Sequence, residues 1–394
     1  MKIIKIIIFL GLVCLISGCS HSSPLSTFLI DPTALVTNKQ RINDGDKVLT
    51  AALVGLKAEA EEVISQGPYS VTYKTISPPS GDKHDFMSFS IYWWPDSTKS
   101  DGLPYIRKDG IANHDMPAID GVYFRMLCLN VRLLSVAFYF TGENKYATKA
   151  VEFLRVWFLD EATRMNPHLN YGNAIPGIRD GSGQALIETC ELVYLIDGIQ
   201  ILKSCNHLTD AEYEGLQSWF AMFLDWMTTS PHGLYEADRS NNHGTYYDIQ
   251  TVSIALFTGQ KENATKMLKE KTKVRINSQF AEDGSQPHEL ERTRSWSYSQ
   301  KNLSGFFELA RLAENVDMDL WNYVSPDKKS IKEAYRWMLS HAGDQPWEYQ
   351  QITPMDKAGF IPLAYIAKVK YPDVDASDFF RKYQNTDPLF MLTH

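Results

Sequence analysis

The sequence predicts an all-α protein whose paired helices are arranged as a toroid. From Lys47 onward, apolar residues recur at spacings of three and four, as on the buried face of a helix, whereas alternating strand-like runs are few. Short turns rich in Gly, Pro and Asn join most of the helical segments. An internal repeat of helix, turn and helix favours a ring of about six to seven helical hairpins over a simple bundle.

The predicted helices follow this periodicity along the chain. They lie at residues 47–66, 121–141, 144–159, 183–204, 209–228, 244–258, 261–281, 299–315, 328–342 and 357–370. The internal repeat consists of Phe140–Lys149 and Phe257–Lys266, which share Phe, Thr, Gly, Ala, Thr and Lys in register. Its offset of 257 minus 140, or 117 residues, holds two helical hairpins of about 58 residues each. In both copies we expect one helix to end at the Gly and the next to begin soon after.

Two stretches, 67–120 and 163–182, break the helical pattern. They contain many Pro, Gly, Asn and aromatic residues. Long irregular segments inside a compact domain are usually functional loops. No shift in composition marks a second domain, so residues 34–394 are predicted to form one toroidal domain.

The composition excludes several classes of protein. The chain has 394 residues, of which 44% are hydrophobic and 22% are charged, so it can bury a large core and is not a disordered tail. A net charge of -8 argues against a broad basic surface, and no nucleic-acid partner is expected. The sequence contains no Cys-x-x-Cys, His-Glu-x-x-His or calcium-loop pattern, so we expect no metal and no cofactor.

The N-terminal segment Met1–Gly18 has the features of a secretory signal. Basic Lys2 and Lys5 precede an apolar run, and small residues stand just before Cys19. The end of this run resembles the bacterial lipoprotein box, which implies cleavage before Cys19 and lipidation of its thiol. Residues 19–33 are then a lipidated Cys and a flexible stalk, and the protein is anchored in the cell envelope, on the periplasmic or outer-membrane face. An ordinary signal peptide cut slightly later is the alternative.

One candidate site lies at the start of a predicted helix. Asn241, Asn242 and His243 place two amides and an imidazole where free backbone N–H groups also favour an anion, so this corner can hold a carboxylate. The alternative is that Ser240 or Asn241 caps the helix and His243 is a surface residue.

A second candidate cluster lies between Asp283 and Tyr298. Arg292 and Arg294 offer positive charge for an anion, and Tyr298 offers a phenol. The spacing does not decide between the two arginines, because a loop before the helix changes which of them shares a face with Tyr298. The alternative is a salt-bridged helix start with Tyr298 in the core.

Aromatic residues are dense in the first irregular stretch. Tyr92, Trp93, Trp94 and Tyr105 lie in this predicted loop, where flat faces with polar edges suit sugar rings. Core packing is the alternative for each of them. Together with the two polar clusters, these residues indicate a carbohydrate-binding cleft.

Five ordered blocks of the sequence resemble the alginate-lyase superfamily of polysaccharide lyases, and most closely polysaccharide lyase family 38. The blocks are His84–Ser88, Tyr92–Asp96 with Gly102–Gly110, Asn166–Gly172, Asn241–Gln250 and Asp283–Thr293. The resemblance implies an incomplete (α/α) toroid that cleaves uronate polymers by β-elimination. It also implies that the catalytic residues are Asn242, His243, Arg292 and Tyr298. The predicted substrate-binding residues are Trp93, Trp94, Tyr105, Tyr171, Tyr247 and Arg294.

Elimination chemistry suits these residue types. Loss of the C5 proton requires neutralisation of the uronate carboxylate, a task for Asn242, His243 and Arg292. A base must take that proton and an acid must protonate O4. Lowering the pKa of Tyr298 for this work requires stabilisation of its phenolate, and a neighbouring Arg and His are expected to supply part of it. Because the two sugars of alginate are C5 epimers, we hypothesise that Tyr298 is both base and acid for mannuronate. For guluronate, His243 is then the base and Tyr298 the acid.

The expected function is metal-independent cleavage of alginate, an acidic polysaccharide, by a monomer held at a membrane through its lipid anchor. One alternative is a lyase for glucuronan or another polyuronate. A second is a glycoside hydrolase that uses carboxylates such as Asp283, Glu289 or Glu291. A third is a non-catalytic, glycan-binding lipoprotein. The sequence does not decide the polymer preference or between endo and exo action.

Overall fold

The structure is a computed structural model that describes residues 25–117, 119–343 and 345–394. Its helices are α1 (Pro32–Asn43), α2 (Lys47–Ile64), α3 (Asp120–Thr141), α4 (Asn144–Leu154), α5 (Leu192–Ser204), α6 (Asp210–Thr229), α7 (Pro231–Ala237), α8 (Asn242–Phe257), α9 (Lys261–Met267), α10 (Lys273–Gln279), α11 (Pro287–Leu290), α12 (Ser295–Glu314), α13 (Ile331–Ala342), α14 (Ile361–Lys370), α15 (Ser377–Lys382) and α16 (Pro388–Thr393). The predicted signal peptide and Cys19 lie outside the described residues.

Four helices form an inner layer, in which α3 packs on α5, α5 on α8, and α8 on α12. A second layer covers them, with α4 against α3, α6 and α9 against α8, and α13 against α12. Within α8, His243 is the one residue that is not buried. This arrangement of paired helices in two layers confirms the predicted (α/α) toroid.

Most predicted helices are present, some with a change of helix type inside them. The predicted segment 144–159 is α4 followed by a π-helical turn at Arg155–Leu159, and 261–281 is α9 and α10 joined by a π-helical turn at Leu268–Thr272. The internal repeat behaves as expected. Gly142 and Gly259 follow α3 and α8 with φ of 70° and 75°, a left-handed conformation that favours Gly at a helix end.

The segment before α1 is fixed to the domain. Asp197 on α5 accepts hydrogen bonds from the backbone N–H groups of Phe28 at 2.7 Å, Leu29 at 3.0 Å and Ile30 at 2.7 Å. Ile30 is buried in the main hydrophobic core, and α1 begins at Pro32. The prediction of a flexible stalk is therefore wrong for residues 25–33, because a buried carboxylate and apolar contacts hold this part of the chain.

The two irregular stretches meet through short strands. Strand β1 (Met87–Phe89) pairs in parallel with β4 (Tyr171–Ala174), and β2 (Trp93–Trp94) pairs antiparallel with β3 (Ile106–Arg107). The Tyr105 N–H also donates to the Pro176 carbonyl at 3.2 Å. These pairings place the loop of residues 84–117 next to the loop of residues 163–182.

Candidate active site

The corner between α7 and α8 holds His243 through a buried carboxylate. His243 Nδ1 lies 2.5 Å from Oε1 of Glu236, which is fully buried on α7, and the Asn241 side chain accepts from the His243 N–H. Because a carboxylate accepts hydrogen bonds, we assign the ring proton to Nδ1. Nε2 then carries a lone pair, and the side chain is 20% exposed. The geometry suits a proton acceptor.

Asn242 is held by a second buried carboxylate. Glu289 accepts from the Asn242 backbone N–H at 2.6 Å, and its two oxygens lie 3.0 and 2.9 Å from Asn242 Nδ2. Burial raises the pKa of Glu289, while the hydrogen bonds from Asn242 and the proximity of Arg292 and His243 oppose that rise. Glu289 thus fixes the amide of Asn242 and interacts electrostatically with Arg292 and His243. We call Glu236, Asn242, His243 and Glu289 the histidine side.

Arg292 lies beside Tyr298 and is anchored by the loop of residues 84–117. Its Nε and Nη2 donate to the two oxygens of Asp109 at 3.2 and 2.9 Å, and its guanidinium carbon lies 4.2 Å from the centre of the Tyr298 ring. Burial opposes ionisation of Asp109, but the hydrogen bond and charge of Arg292 outweigh it and lower the pKa of Asp109 to about 2. The pair is therefore ionised at neutral pH.

The Tyr298 hydroxyl donates to the hydroxyl of Tyr92 at 2.9 Å. Burial and this contact with Tyr92 raise the pKa of Tyr298 above its usual value of 10, and Arg292 only partly offsets the rise. Arg292 lowers the pKa as expected, but the net shift is upward because burial and Tyr92 outweigh it. The phenol keeps its proton at neutral pH and is suited to donate it. We call Tyr92, Asp109, Arg292 and Tyr298 the tyrosine side.

Arg294 precedes α12, and its backbone pairs with Gln351. Its Nε is buried without a hydrogen bond, and no carboxylate of the described residues forms an ion pair with it. Of the two arginines that the sequence left open, Arg292 is the one in contact with the Tyr298 ring.

The predicted substrate-binding aromatics divide into two groups. Trp93, Trp94, Tyr105 and Tyr171 are partly exposed on or beside the short strands. Tyr247 is 3% exposed, and its hydroxyl donates to a backbone carbonyl in the core at 3.0 Å. The prediction that Tyr247 binds substrate is therefore wrong, because its ring is buried and its hydroxyl is bonded to the Met227 carbonyl in the core.

Three carboxylates hold the site residues in ways that the local sequence does not predict. Glu236 precedes His243 by seven residues, Asp109 lies 183 residues from Arg292, and the sequence suggests Glu289 only as a hydrolase carboxylate. Neither Glu236, within Pro231–Ala237, nor Glu289, within Pro287–Leu290, stands in an apolar stretch that would signal its burial. Among the described residues, no group of three or more His, Cys, Asp and Glu side chains has the arrangement of a metal site.

Comparisons with known proteins identify the family and the fold. The sequence profile of the alginate lyase family matches residues 70–347. A crystal structure of an alginate lyase from Bacteroides ovatus is 34% identical, covers 94% of this chain and 99% of its own, and superposes with a TM-score of 0.90. Alginate lyase A1-III from Sphingomonas species A1 is 16% identical over 95% of this chain and 99% of its own, with a TM-score of 0.58.

A variant of alginate lyase A1-III in complex with a tetrasaccharide gives a TM-score of 0.60 at 15% identity, over 95% of this chain and 99% of its own. A comparison with curated protein sequences gives no match. The family profile covers more than half of the chain, and the Bacteroides ovatus enzyme aligns with nearly all of it. The chain therefore belongs to the alginate lyase family and is a polysaccharide lyase.

Proposed function

We propose that this protein cleaves alginate by β-elimination, with Tyr298 as the proton donor to the leaving oxygen and His243 as a proton acceptor at C5. The observation that carries this proposal is that the surroundings leave His243 able to accept a proton and Tyr298 able to donate one. His243 has a free Nε2 because Glu236 occupies Nδ1. Tyr298 retains its proton because burial and Tyr92 raise its pKa.

In the proposed reaction, a base removes the C5 proton, the C4–O4 bond breaks, and a C4–C5 double bond forms. O4 receives a proton from Tyr298, so one new chain end carries an unsaturated uronate. Negative charge develops on the carboxylate attached to C5. Arg292 is suited to meet it, since Asp109 occupies Nε and Nη2 and leaves the N–H groups of Nη1 for a ligand. Asn242, oriented by Glu289, is proposed to assist.

The two alginate sugars place different demands on this site. In guluronate the C5 proton is on the face opposite O4, and His243 acts as base while Tyr298 acts as acid. In mannuronate the proton is on the same face as O4, and Tyr298 must first lose its own proton to act as base. The raised pKa of Tyr298 supports its role as acid. Guluronate cleavage then uses Tyr298 in the protonated form that it keeps at neutral pH.

The proposed function is tested with purified protein and four substrates: alginate, polyguluronate, polymannuronate and glucuronan. A lyase gives ultraviolet absorbance from the unsaturated end, and the initial rates give the polymer preference. A hydrolase gives new reducing ends without that absorbance, and a binding protein gives neither, so either result contradicts the proposal. We expect the rate to be unchanged by a chelator, because the proposed steps use side chains only.

We also propose that the protein is lipid-anchored in the cell envelope through Cys19, as the sequence features of Met1–Gly18 indicate. The variant Cys19→Ala should move from the membrane fraction to the soluble fraction with unchanged specific activity. Retention of the variant in the membrane fraction would contradict the anchor.

A further inference from the structure

Arg292, Arg179 and Arg239 differ in whether a carboxylate forms an ion pair with them. Arg292 already has a carboxylate partner in Asp109. Arg179 and Arg239 have none among the described residues, although each has a buried Nε without a hydrogen bond. Positive charge that lacks an internal partner is available to an anionic ligand, which matters in a chain with a net charge of -8.

Arg179 is oriented by neutral groups in the loop of residues 163–182 and just beyond it. Its Nη2 lies 2.8 Å from the side-chain oxygen of Gln184 and 3.5 Å from that of Asn173. Asn173 has a left-handed φ of 57° and is held by Ser88 Oγ on its N–H and by Glu188 on its side-chain amide. The guanidinium is therefore fixed in direction without neutralisation of its charge.

Tyr235 and Arg239 continue this positive surface from α7 towards His243. The Arg239 guanidinium carbon lies 4.3 Å from the centre of the Tyr235 ring, and its Nη1 lies 3.3 Å from the Tyr235 hydroxyl. The Arg239 carbonyl accepts from Arg275, which fixes the backbone four residues before His243. Tyr235 is 40% exposed, so its ring is accessible to a ligand.

The loop that carries Arg179 rests directly on α7. A Cβ on Gly183 would lie 2.2 Å from the His232 carbonyl oxygen and 3.0 Å from Cδ1 of Tyr235, so only Gly permits this approach. Gln184, which holds Arg179, is the next residue. Arg179, Tyr235 and Arg239 therefore form one surface, which we call the arginine patch.

We propose that the arginine patch binds the carboxylate of a second uronate unit, adjacent to the unit cleaved and on the histidine side of the site. The two guanidiniums supply charge-assisted hydrogen bonds, and the Tyr235 ring supplies a flat face for the sugar. This inference rests on the proposed function, since it names a further unit of the same polyuronate chain. It assigns the patch to substrate affinity and not to the chemical step.

The test measures binding of a saturated guluronate oligosaccharide by calorimetry. The parent protein carries Tyr298→Phe so that the ligand is not consumed. In this background, Arg179→Gln and Arg239→Gln should each raise the Kd about tenfold and reduce its dependence on salt. Arg179→Lys should recover part of the affinity because it restores the charge. Arg336→Gln is the matched control, since Arg336 lies on α13 and is already paired with Glu333 and Asp373, and its Kd should be unchanged.

A second probe is the same oligosaccharide with its carboxylates reduced to alcohols. The parent and Arg179→Gln should bind this neutral ligand equally. The inference is overturned if both glutamine variants bind the charged oligosaccharide within twofold of the parent, or if the loss is the same for the neutral ligand. Circular dichroism monitors folding. If Arg179→Gln does not fold, the Kd values of Arg239→Gln for the charged and the neutral oligosaccharide test the inference. A wild-type protein that produces no unsaturated ends would refute the proposed function, whereas this titration reports on the patch alone.

Discussion

The two sides of the site are built from different parts of the chain. On the histidine side, Glu236 lies seven residues before His243, at the end of the neighbouring helix. On the tyrosine side, the partner of Tyr298 is 206 residues away and the partner of Arg292 is 183 residues away. The histidine side thus depends on helix packing, whereas the tyrosine side is complete only when the loop of residues 84–117 lies against α12.

The two sides also differ in how buried neighbours position the titrating proton of His243 and of Tyr298. A buried carboxylate on the histidine side directs the ring proton of His243 inwards and leaves a nitrogen free to accept. On the tyrosine side, burial and a second phenol keep the proton on Tyr298. Two titratable groups in unlike surroundings are thereby suited to opposite roles.

The largest expected effect comes from the tyrosine side. Tyr298→Phe removes one hydroxyl and should lower kcat about 10³-fold or more on every polymer, because the leaving oxygen loses its acid. Initial rates of absorbance increase measure the effect. Tyr247→Phe is the matched control, since that hydroxyl contacts a carbonyl in the core, and it should retain its rate with some loss of thermal stability. Near wild-type turnover by folded Tyr298→Phe would remove Tyr298 from the mechanism.

Glu236→Gln tests the histidine side with almost no change of shape. The amide can donate to Nδ1, which moves the ring proton to Nε2 and removes the base. We expect kcat on polyguluronate to fall about 10²-fold, with a smaller loss on polymannuronate. Equal rates for the variant and the wild type on polyguluronate would show that Glu236 does not set the state of His243.

Asp109→Asn tests whether the tyrosine side depends on the distant loop. Loss of the ion pair frees the Arg292 guanidinium and weakens the contact between the loop and α12. We expect kcat/KM to fall about tenfold on both homopolymers. Asp96→Asn in the same loop is the control, because Asp96 contacts only nearby Thr98 through its side chain, and it should match the wild type. An unchanged Asp109→Asn enzyme would indicate that the loop is positioned without this pair.

The pH dependence of the two cleavage rates distinguishes Tyr298 as an acid from Tyr298 as a base, and it is the smallest of the expected effects. Tyr298 acts as an acid in its protonated form, and its pKa lies above 10, so its titration should cause no alkaline loss of polyguluronate cleavage below about pH 10. As a base for mannuronate it must be ionised, and that fraction rises about tenfold for each pH unit below the pKa. The ratio of the mannuronate rate to the guluronate rate should therefore increase with pH. A ratio independent of pH would contradict different roles for Tyr298.

Much of the fold was predictable because helical periodicity is set by residues that are close together in sequence. The positions of Asn242 and His243 at a helix start were predictable for the same reason. The pKa of Tyr298 was not, since it depends on burial and on Tyr92, which is distant in sequence. Likewise, nothing local distinguishes Tyr247, which faces the core, from an aromatic residue in the cleft. The Ser- and Pro-rich composition before α1 predicts a stalk, whereas the contact that fixes residues 28–30 comes from Asp197 on α5, which the local sequence does not reveal.

The central claim is that His243 is the base for one sugar epimer and not for the other. The most direct test is the ratio of initial rates on polyguluronate and polymannuronate, measured for His243→Ala and for the wild type under the same conditions. Our account predicts that the substitution lowers this ratio by about tenfold or more, because only guluronate cleavage loses its proton acceptor. An unchanged ratio, with both rates reduced equally, would contradict the account and leave His243 a general role in binding the carboxylate.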